Sequence, residues 1–425
     1  MKLAIVGSGI SGLVAAYRLH RDHEVTIFEA GSHIGGHTHT HDIRLADRTW
    51  SIDTGFIVFN DWTYPNFIAL LDELQVQSQP SAMSFSVRCE RTGLEYNGTS
   101  INALFAQRRN LFRPSFHRMI RDILRFNREA PSLLTAGDET LDLGTYLENN
   151  GYSQEFREHY IIPMGAAVWS ASVDDMLAFP ARYFVRFFYN HGMLSVDNRP
   201  TWRVVQGGSR SYVEPLTAGF RQRIRLNTAV EHILRDRSAV TIRSAGGQAE
   251  RFDAVIMACH SDQALKLLDQ PTSQERAILG AIPYQENETI LHTDASVLPR
   301  SKLAWAAWNY HITKDARNKV AVTYDMNILQ GLSAPETFCV TLNYGEAIDP
   351  ALILKRLTYH HPVYTPAGIA AQQLHGKISG VNRTYYCGAY WGFGFHEDGV
   401  NSGLRVARQI TESIGHEQLP LRRSA

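Results

Sequence analysis

The sequence lacks a prevailing charge: 42 lysines and arginines balance 42 aspartates and glutamates. A nucleic-acid-binding protein needs a basic field, so no nucleic acid is expected as a partner. Cysteine is scarce. The four present, Cys89, Cys259, Cys339 and Cys387, lie far apart with no C-x-x-C pair, which argues against a zinc site and against a disulfide framework. No window of about 18 continuous apolar residues occurs, so no membrane-spanning helix is expected. The opening MKLAIVGSG lacks the longer apolar run and cleavage site of a secretory leader. Together these absences point to a cytoplasmic location. There is no internal repeat and no low-complexity linker. What the chain does have is size, 425 residues that are 44% hydrophobic, enough for two or three domains with their own cores.

Residues 3–6 form an apolar run that meets glycines at once. Residues 11–20 then carry helix formers, with Leu13, Ala16, Tyr17 and His20 spaced for one face, and a second apolar run follows at 25–28. Strand, helix and strand within about 30 residues make a parallel βαβ unit. Strand-like segments continue at 50–59 and 84–96, and 101–190 turns helical and rich in aromatics. Alternation returns at 224–234, 239–244 and 254–258, with further strand candidates at 289–293 and 338–344. Segment 383–387 leads through a glycine-rich loop to a last helix near 400–414. His360-His361 before Pro362 reads as a loop.

Gly7-Ser8-Gly9-Ile10-Ser11-Gly12 is a G-x-G-x-x-G placed between that first strand and helix. The first glycine permits the tight turn, the second lets backbone approach a pyrophosphate, and the third lets helix and strand pack closely. Glu29 ends the second strand, where a carboxylate accepts hydrogen bonds from an adenosine ribose. An acid there disfavours a 2′-phosphate, so FAD or NAD is expected rather than NADP. The pair Gly35-Gly36, followed by His37 and Thr38, carries the chain past the same pyrophosphate, which a plain nicotinamide domain does not need. No second G-x-G-x-x-G occurs, so electrons are expected to leave to oxygen or another carrier.

These residues resemble the flavin-containing amine oxidoreductase superfamily, with His37 where many members have arginine. The resemblance extends to Asp53-Thr54-Gly55-Phe56, to Val230, to the glycine segment at Gly207-Gly208, to Ala258 at the end of its apolar strand, and to Gly388 with Asp398-Gly399-Val400. It implies FAD as cofactor and, Gly207-Gly208 aside, all of these positions as its contacts. It implies an α/β fold: a discontinuous Rossmann-like FAD domain (1–80, 200–280 and 381–415), a mixed-sheet substrate domain (81–100 and 281–380) and a helical insertion (101–199). Amine oxidases place a lysine near flavin N5, and 283–293 contains none. The strings IGGHTHT, DTGFIVFNDWTYPNF and FGFHEDGV are similar instead to bacterial FAD-dependent oxidoreductases and to the N-terminal flavin domain of plant cyclopropane-fatty-acid synthases. That similarity implies a modified or unsaturated fatty acyl substrate and a lipid methyltransferase as partner. An amine oxidase and a non-catalytic accessory protein are the alternatives.

Tyr183, Phe184, Phe187, Phe188 and Tyr189, with Trp305 and Trp308, are candidates for an apolar tunnel, the plainer alternative being core. Residues 108–128 carry seven arginines, with Phe116, Ile120, Ile123 and Leu124 as a helical stripe, a pattern suited to peripheral contact with an anionic lipid surface, the plainer alternative being a solvated face over a normal core. His396 is the candidate acid or base, because histidine titrates near neutrality, the alternative being a hydrogen-bonded structural histidine beside the cofactor. His37, His39 and His41 alternate, yet they fall where FAD belongs, so no metal is expected.

Overall fold

The first strand determines the centre of the fold. In Lys2–Val6, Leu3 and Ile5 face one layer, Ala4 and Val6 face the other, and all four are buried. A strand buried on both faces belongs inside a parallel sheet. The computed structural model describes residues 1–45, 47–135, 140–314 and 319–413. In it this strand is the middle of five. Their order is Ile224–Arg225, Glu24–Phe28, Lys2–Val6, Ala254–Met257 and Thr384–Tyr386, and each adjacent pair is parallel.

One face of the sheet carries the helices Ile10–Leu19 and His396–Ser413, whose Leu13, Val14, Val406 and Ile410 pack with Leu3, Ile5 and Ile27. These helices cross closely because two glycines of the second leave room. A Cβ on Gly403 would lie 2.5 Å from the Ser11 carbonyl oxygen, and one on Gly399 2.6 Å from Ile10 Cγ2. The other face is covered by an antiparallel ribbon, Val230–Arg235, Val240–Ser244 and Glu250–Phe252, and by the helices Ser261–Leu267 and Ser273–Leu279.

A seven-stranded sheet forms the second layer system. Its order is Ile353–Pro362, Tyr284–His292, Cys339–Leu342, Val322–Asp325, Trp308–Ile312, Phe85–Cys89 and Leu94–Asn97. All pairs are antiparallel except Trp308–Ile312 with Phe85–Cys89. His360 and His361, read as loop, lie inside the strand Ile353–Pro362. Proline escapes its usual exclusion there because it ends an edge strand.

The stretch between Ile101 and Asn190 is mostly helical and shares one core with that sheet. Burial bears on two of the expectations here. The helix Pro114–Glu129 buries Phe116, Met119, Asp122 and Phe126, while Leu124 is 54% exposed. Its apolar stripe therefore faces the protein, and Asp122 is drawn in because its carboxylate accepts from the Ser153 amide. The aromatics of 183–189 do not form one lining. Phe184, Phe187 and Phe188 pack with Trp169 in the core, and Tyr189 is exposed. Among the described residues no helix is long and apolar enough to cross a membrane.

Candidate active site

Four stretches far apart in sequence meet beyond the carboxyl end of the first strand, where ligands bind in sheets of this kind. Gly7, at φ +106°, turns so tightly that a Cβ would lie 2.7 Å from the Ala258 carbonyl oxygen. Gly9 bridges to Gly35, and a Cβ on Gly36 would lie 3.1 Å from Gly9 Cα. A Cβ on Gly55 would lie 2.2 Å from the His37 carbonyl oxygen, and that oxygen accepts from the Phe56 amide at 2.7 Å. The helix Ile10–Leu19 begins at Gly9 without a side-chain cap, and around the Cβ position of Gly9 there is no atom within 4 Å. The turn is thus a cradle: amides at an uncapped helix start and an open approach to backbone.

Glu29 is held at the rim. Oε2 accepts from the Ser8 amide at 2.8 Å and the Ser8 hydroxyl at 2.6 Å, and Oε1 accepts from the Gly31 amide at 2.7 Å. Its backbone carbonyl accepts from the Thr228 amide, which brings Val230, at the start of the covering ribbon, to the same rim.

His37 is ringed by Tyr359, His361 and His260, with ring centres 5.0, 5.6 and 6.3 Å away. Its Nε2 has no hydrogen-bond partner among the described residues. His39 stacks instead on His33 at 3.9 Å and lies 4.1 Å from His41. Thr54 bonds with the Tyr359 hydroxyl at 2.8 Å.

Asp53 is fully buried and turned into the protein. Its oxygens accept from the Thr40 hydroxyl, the Ser209 amide and hydroxyl, and the Gln330 amide group. Burial pushes its pKa up to about 6 despite those donors. It ties the segment after His39 to the loop following Gly208.

His396 starts the last helix and stacks on Phe56, ring centres 3.6 Å apart and 7° from parallel. Its Nε2 hydrogen-bonds with the Tyr212 hydroxyl at 2.8 Å, which bonds on to the Thr38 hydroxyl. Burial pushes its pKa down to about 3, so the ring is neutral at pH 7, unlike the near-neutral titration expected from the residue type. Asp398 points back to accept from the Phe395 amide, Gly388 donates to the Ser402 hydroxyl, and Val400 is buried against the first helix.

Glu397 caps a different helix. Its carboxylate accepts from the Asn66 and Phe67 amides at 3.1 and 2.8 Å and from Asn66 Nδ2 at 3.0 Å, at the start of Pro65–Glu73. Glu397→Ala leaves those buried donors unpaired and is expected to cost about 3 kcal/mol, read as a lowered denaturant midpoint with unchanged slope.

A model of the flavin containing amine oxidoreductases matches residues 10–306. The chain belongs to that family. It is therefore a flavin-dependent oxidoreductase, and its cofactor is FAD. The fold agrees across almost the whole length of known flavin amine oxidases. Cyclohexylamine oxidase from Brevibacterium oxydans IH-35A matches at TM-score 0.70 and 16% identity over 97% of this chain and 99% of that one. Wild-type putrescine oxidase bound to putrescine matches at 0.67 and 16%, over 97% and 99%. A CLA-producing fatty acid isomerase from P. acnes matches at 0.68 and 14%, over 97% and 98%. At these identities the likeness concerns fold alone. No curated protein matches the chain.

The cradle fits a flavin containing amine oxidoreductase's cofactor. Gly9, Ile10, Ser11 and Gly12 suit the pyrophosphate, Glu29 and Val230 the adenosine end, and Gly36, His37 and Thr38 the near side of the flavin half. The orphaned His37 Nε2 is a polar atom still waiting for a partner. Sequence reading missed Ser8, Tyr212, His260, Tyr359 and His361. The signals were there: His260 follows the Ala254–Met257 strand at the end where ligands bind, and Tyr359 and His361 share a face by strand alternation.

Proposed function

We propose that this protein exchanges hydride between FAD and an apolar acyl-chain substrate. The observation that carries the reading is the uncharged aromatic wall beside the cradle. Tyr183 packs against Phe393 at 4.4 Å and Tyr364 at 5.8 Å, and its hydroxyl donates to the Gly392 carbonyl just ahead of His396. His260 and His361 add neutral rings, because burial pushes them down to about 4 and about 3. The strand Tyr284–His292 carries no lysine, and Asp398, the acid facing Tyr183 and Tyr364, accepts from the Phe395 amide and is pushed up to about 7 by burial. A wall of aromatic rings whose one facing acid is disfavoured as a charge suits a neutral chain over an ammonium group. The P. acnes fatty acid isomerase supports the reading, since its name ties the same fold to a fatty acid.

When bound, FAD supplies hydride exchange at N5. The chain's own residues bind and orient: the aromatic wall excludes water, and the line His396, Tyr212, Thr38 holds protons on neutral groups. Amine oxidation is the second reading, favoured by the fold shared with cyclohexylamine and putrescine oxidases.

The two readings separate on anaerobic mixing of the yellow protein with phospholipid and, separately, with polyamines. Bleaching of the visible flavin band by lipid and not by amine is the expected result. Bleaching by amine alone would replace the acyl reading with the second one. A flavin that neither reagent reduces, and that no donor can cycle, would leave a non-catalytic accessory role.

A further inference from the structure

A cavity of about 820 Å³ opens beside the hairpin of Phe85–Cys89 and Leu94–Asn97, lined by Arg88, Glu90, Glu95, Arg108, Arg109 and Arg300 among others. Both acids are already occupied. Glu95 accepts from the Arg300 and Ser301 amides and lies 4.0 Å from Arg88, and Glu90 accepts from the Tyr344 hydroxyl. The guanidiniums of Arg108 and Arg109 donate only to neutral oxygens, those of Asn102, Phe105, Gly93 and Gln107. No ion pair joins Arg108, Arg109 or Arg300 to a carboxylate among the described residues. The lining therefore carries a net positive charge, four arginines and Lys314 against two glutamates, in a chain whose net charge is zero.

The same face carries the two most exposed large apolar side chains among the described residues, Phe112 at 87% and Ile101 at 80%. Leu111 and Leu303 beside them are about half exposed. The segments belong together: Ile101–Leu104 packs on Lys302–Ala304, and Arg108 reaches back to Asn102. A soluble anion would use the cavity alone and leave Phe112 and Ile101 in water at a cost. A bilayer surface uses both, since it offers phosphate at one depth and hydrocarbon a few ångströms below.

We propose that this face docks the protein on an anionic phospholipid surface, with Arg108, Arg109 and Arg300 taking headgroup phosphates while Phe112 and Ile101 enter the acyl boundary. The docking face is formed by 101–112 and 300–303, and the neighbouring helix Pro114–Glu129 packs under it through Phe116, whose ring lies 5.6 Å from that of Phe105. The inference stands apart from the question of which substrate the flavin oxidises.

The test is flotation of the FAD-loaded protein with vesicles of phosphatidylcholine alone or mixed with phosphatidylglycerol. Binding to the mixed vesicles only, weakened about tenfold by raised salt, is expected. Ile101→Ser with Phe112→Ser should lower that binding at least tenfold, and Arg109→Gln about fivefold, each with an unchanged flavin spectrum as the measure of an intact fold. Equal binding to both vesicle types, or none to either, overturns the proposal. So does a result in which inorganic phosphate raises the melting temperature while vesicles are ignored, which would make the cavity a site for a soluble anion.

Discussion

Taking the protein from pH 7 to pH 5 is expected to destabilise it by at least about 4 kcal/mol, because buried histidines are held neutral by the fold. His191, His292 and His375 are pushed down to about 4 and His396 to about 3, chiefly by burial, and His37, His39, His41, His260 and His361 around the cradle are pushed down in the same way. The tautomer of His292 is pinned as well: its Nδ1 accepts from the Asp294 amide and its Nε2 bonds with the Thr341 hydroxyl. Folded values below the unfolded one mean that the unfolded chain binds these protons first. The stability they contribute is complete above about pH 6.5 and is lost as pH falls towards 4. Asp53, raised to about 6, and Asp398, raised to about 7, act in the opposite sense, because the folded chain takes those protons first. The imidazoles outweigh the two carboxyls between pH 7 and 5, so the net sign is a loss. Urea midpoints measured across this range decide it, and a midpoint that rises on acidification would contradict the histidine burial described here. His191, His292 and His375 lie outside the cradle, so the trend should persist with FAD bound.

The second large effect separates binding from folding within one turn. Gly12→Val is expected to yield colourless protein that unfolds more easily. A Cβ at Gly12 would lie 2.3 Å from the Gly7 carbonyl oxygen, 3.0 Å from Ala258 Cβ and 3.3 Å from Ile5 Cγ2. Backbone and core cannot yield there, so the first helix must retreat from the sheet, at about 1–3 kcal/mol, and take its amides with it. Gly9→Val is expected to behave differently. Gly9 has φ −66°, which any residue adopts, and no atom lies within 4 Å of its Cβ position, so the apoprotein should unfold at nearly the wild-type denaturant concentration. Its side chain nevertheless fills the approach to the helix start, so FAD affinity should fall at least tenfold, read by flavin fluorescence titration. If Gly9→Val binds FAD as the wild type does, the cradle is not where the cofactor sits.

Local physics made much of this chain legible in advance. The glycine spacing, the acid at position 29 and the alternating strands each reflect a constraint that acts within a few residues: a positive φ, a close approach, a pleat with two buried faces. The strands Lys2–Val6, Glu24–Phe28 and Ala254–Met257 and the first and last helices could be read for that reason. Features that depend on a distant partner were hidden. Asp122 joins Phe116, Met119 and Phe126 on the inward face of Pro114–Glu129 because it finds the Ser153 amide, and that partner is invisible to helical periodicity. His360 and His361 joined a strand because Tyr284–His292 supplies an edge for them.

The sequence by itself determined the family-level chemistry, a dinucleotide cradle for FAD, since that depends on tight turns at Gly7 and Gly35 and on close backbone approaches at Gly12 and Gly36 that a side chain would block. The tertiary structure decided what the remaining polar residues do. It turned Asp53 and Glu397 into internal clamps, made His396 a neutral ring stacked on Phe56, and gathered Tyr359, His361 and His260 around His37. The physical reason is that charge state and hydrogen-bond partners depend on burial and on groups tens to hundreds of residues away, and only the folded chain sets both.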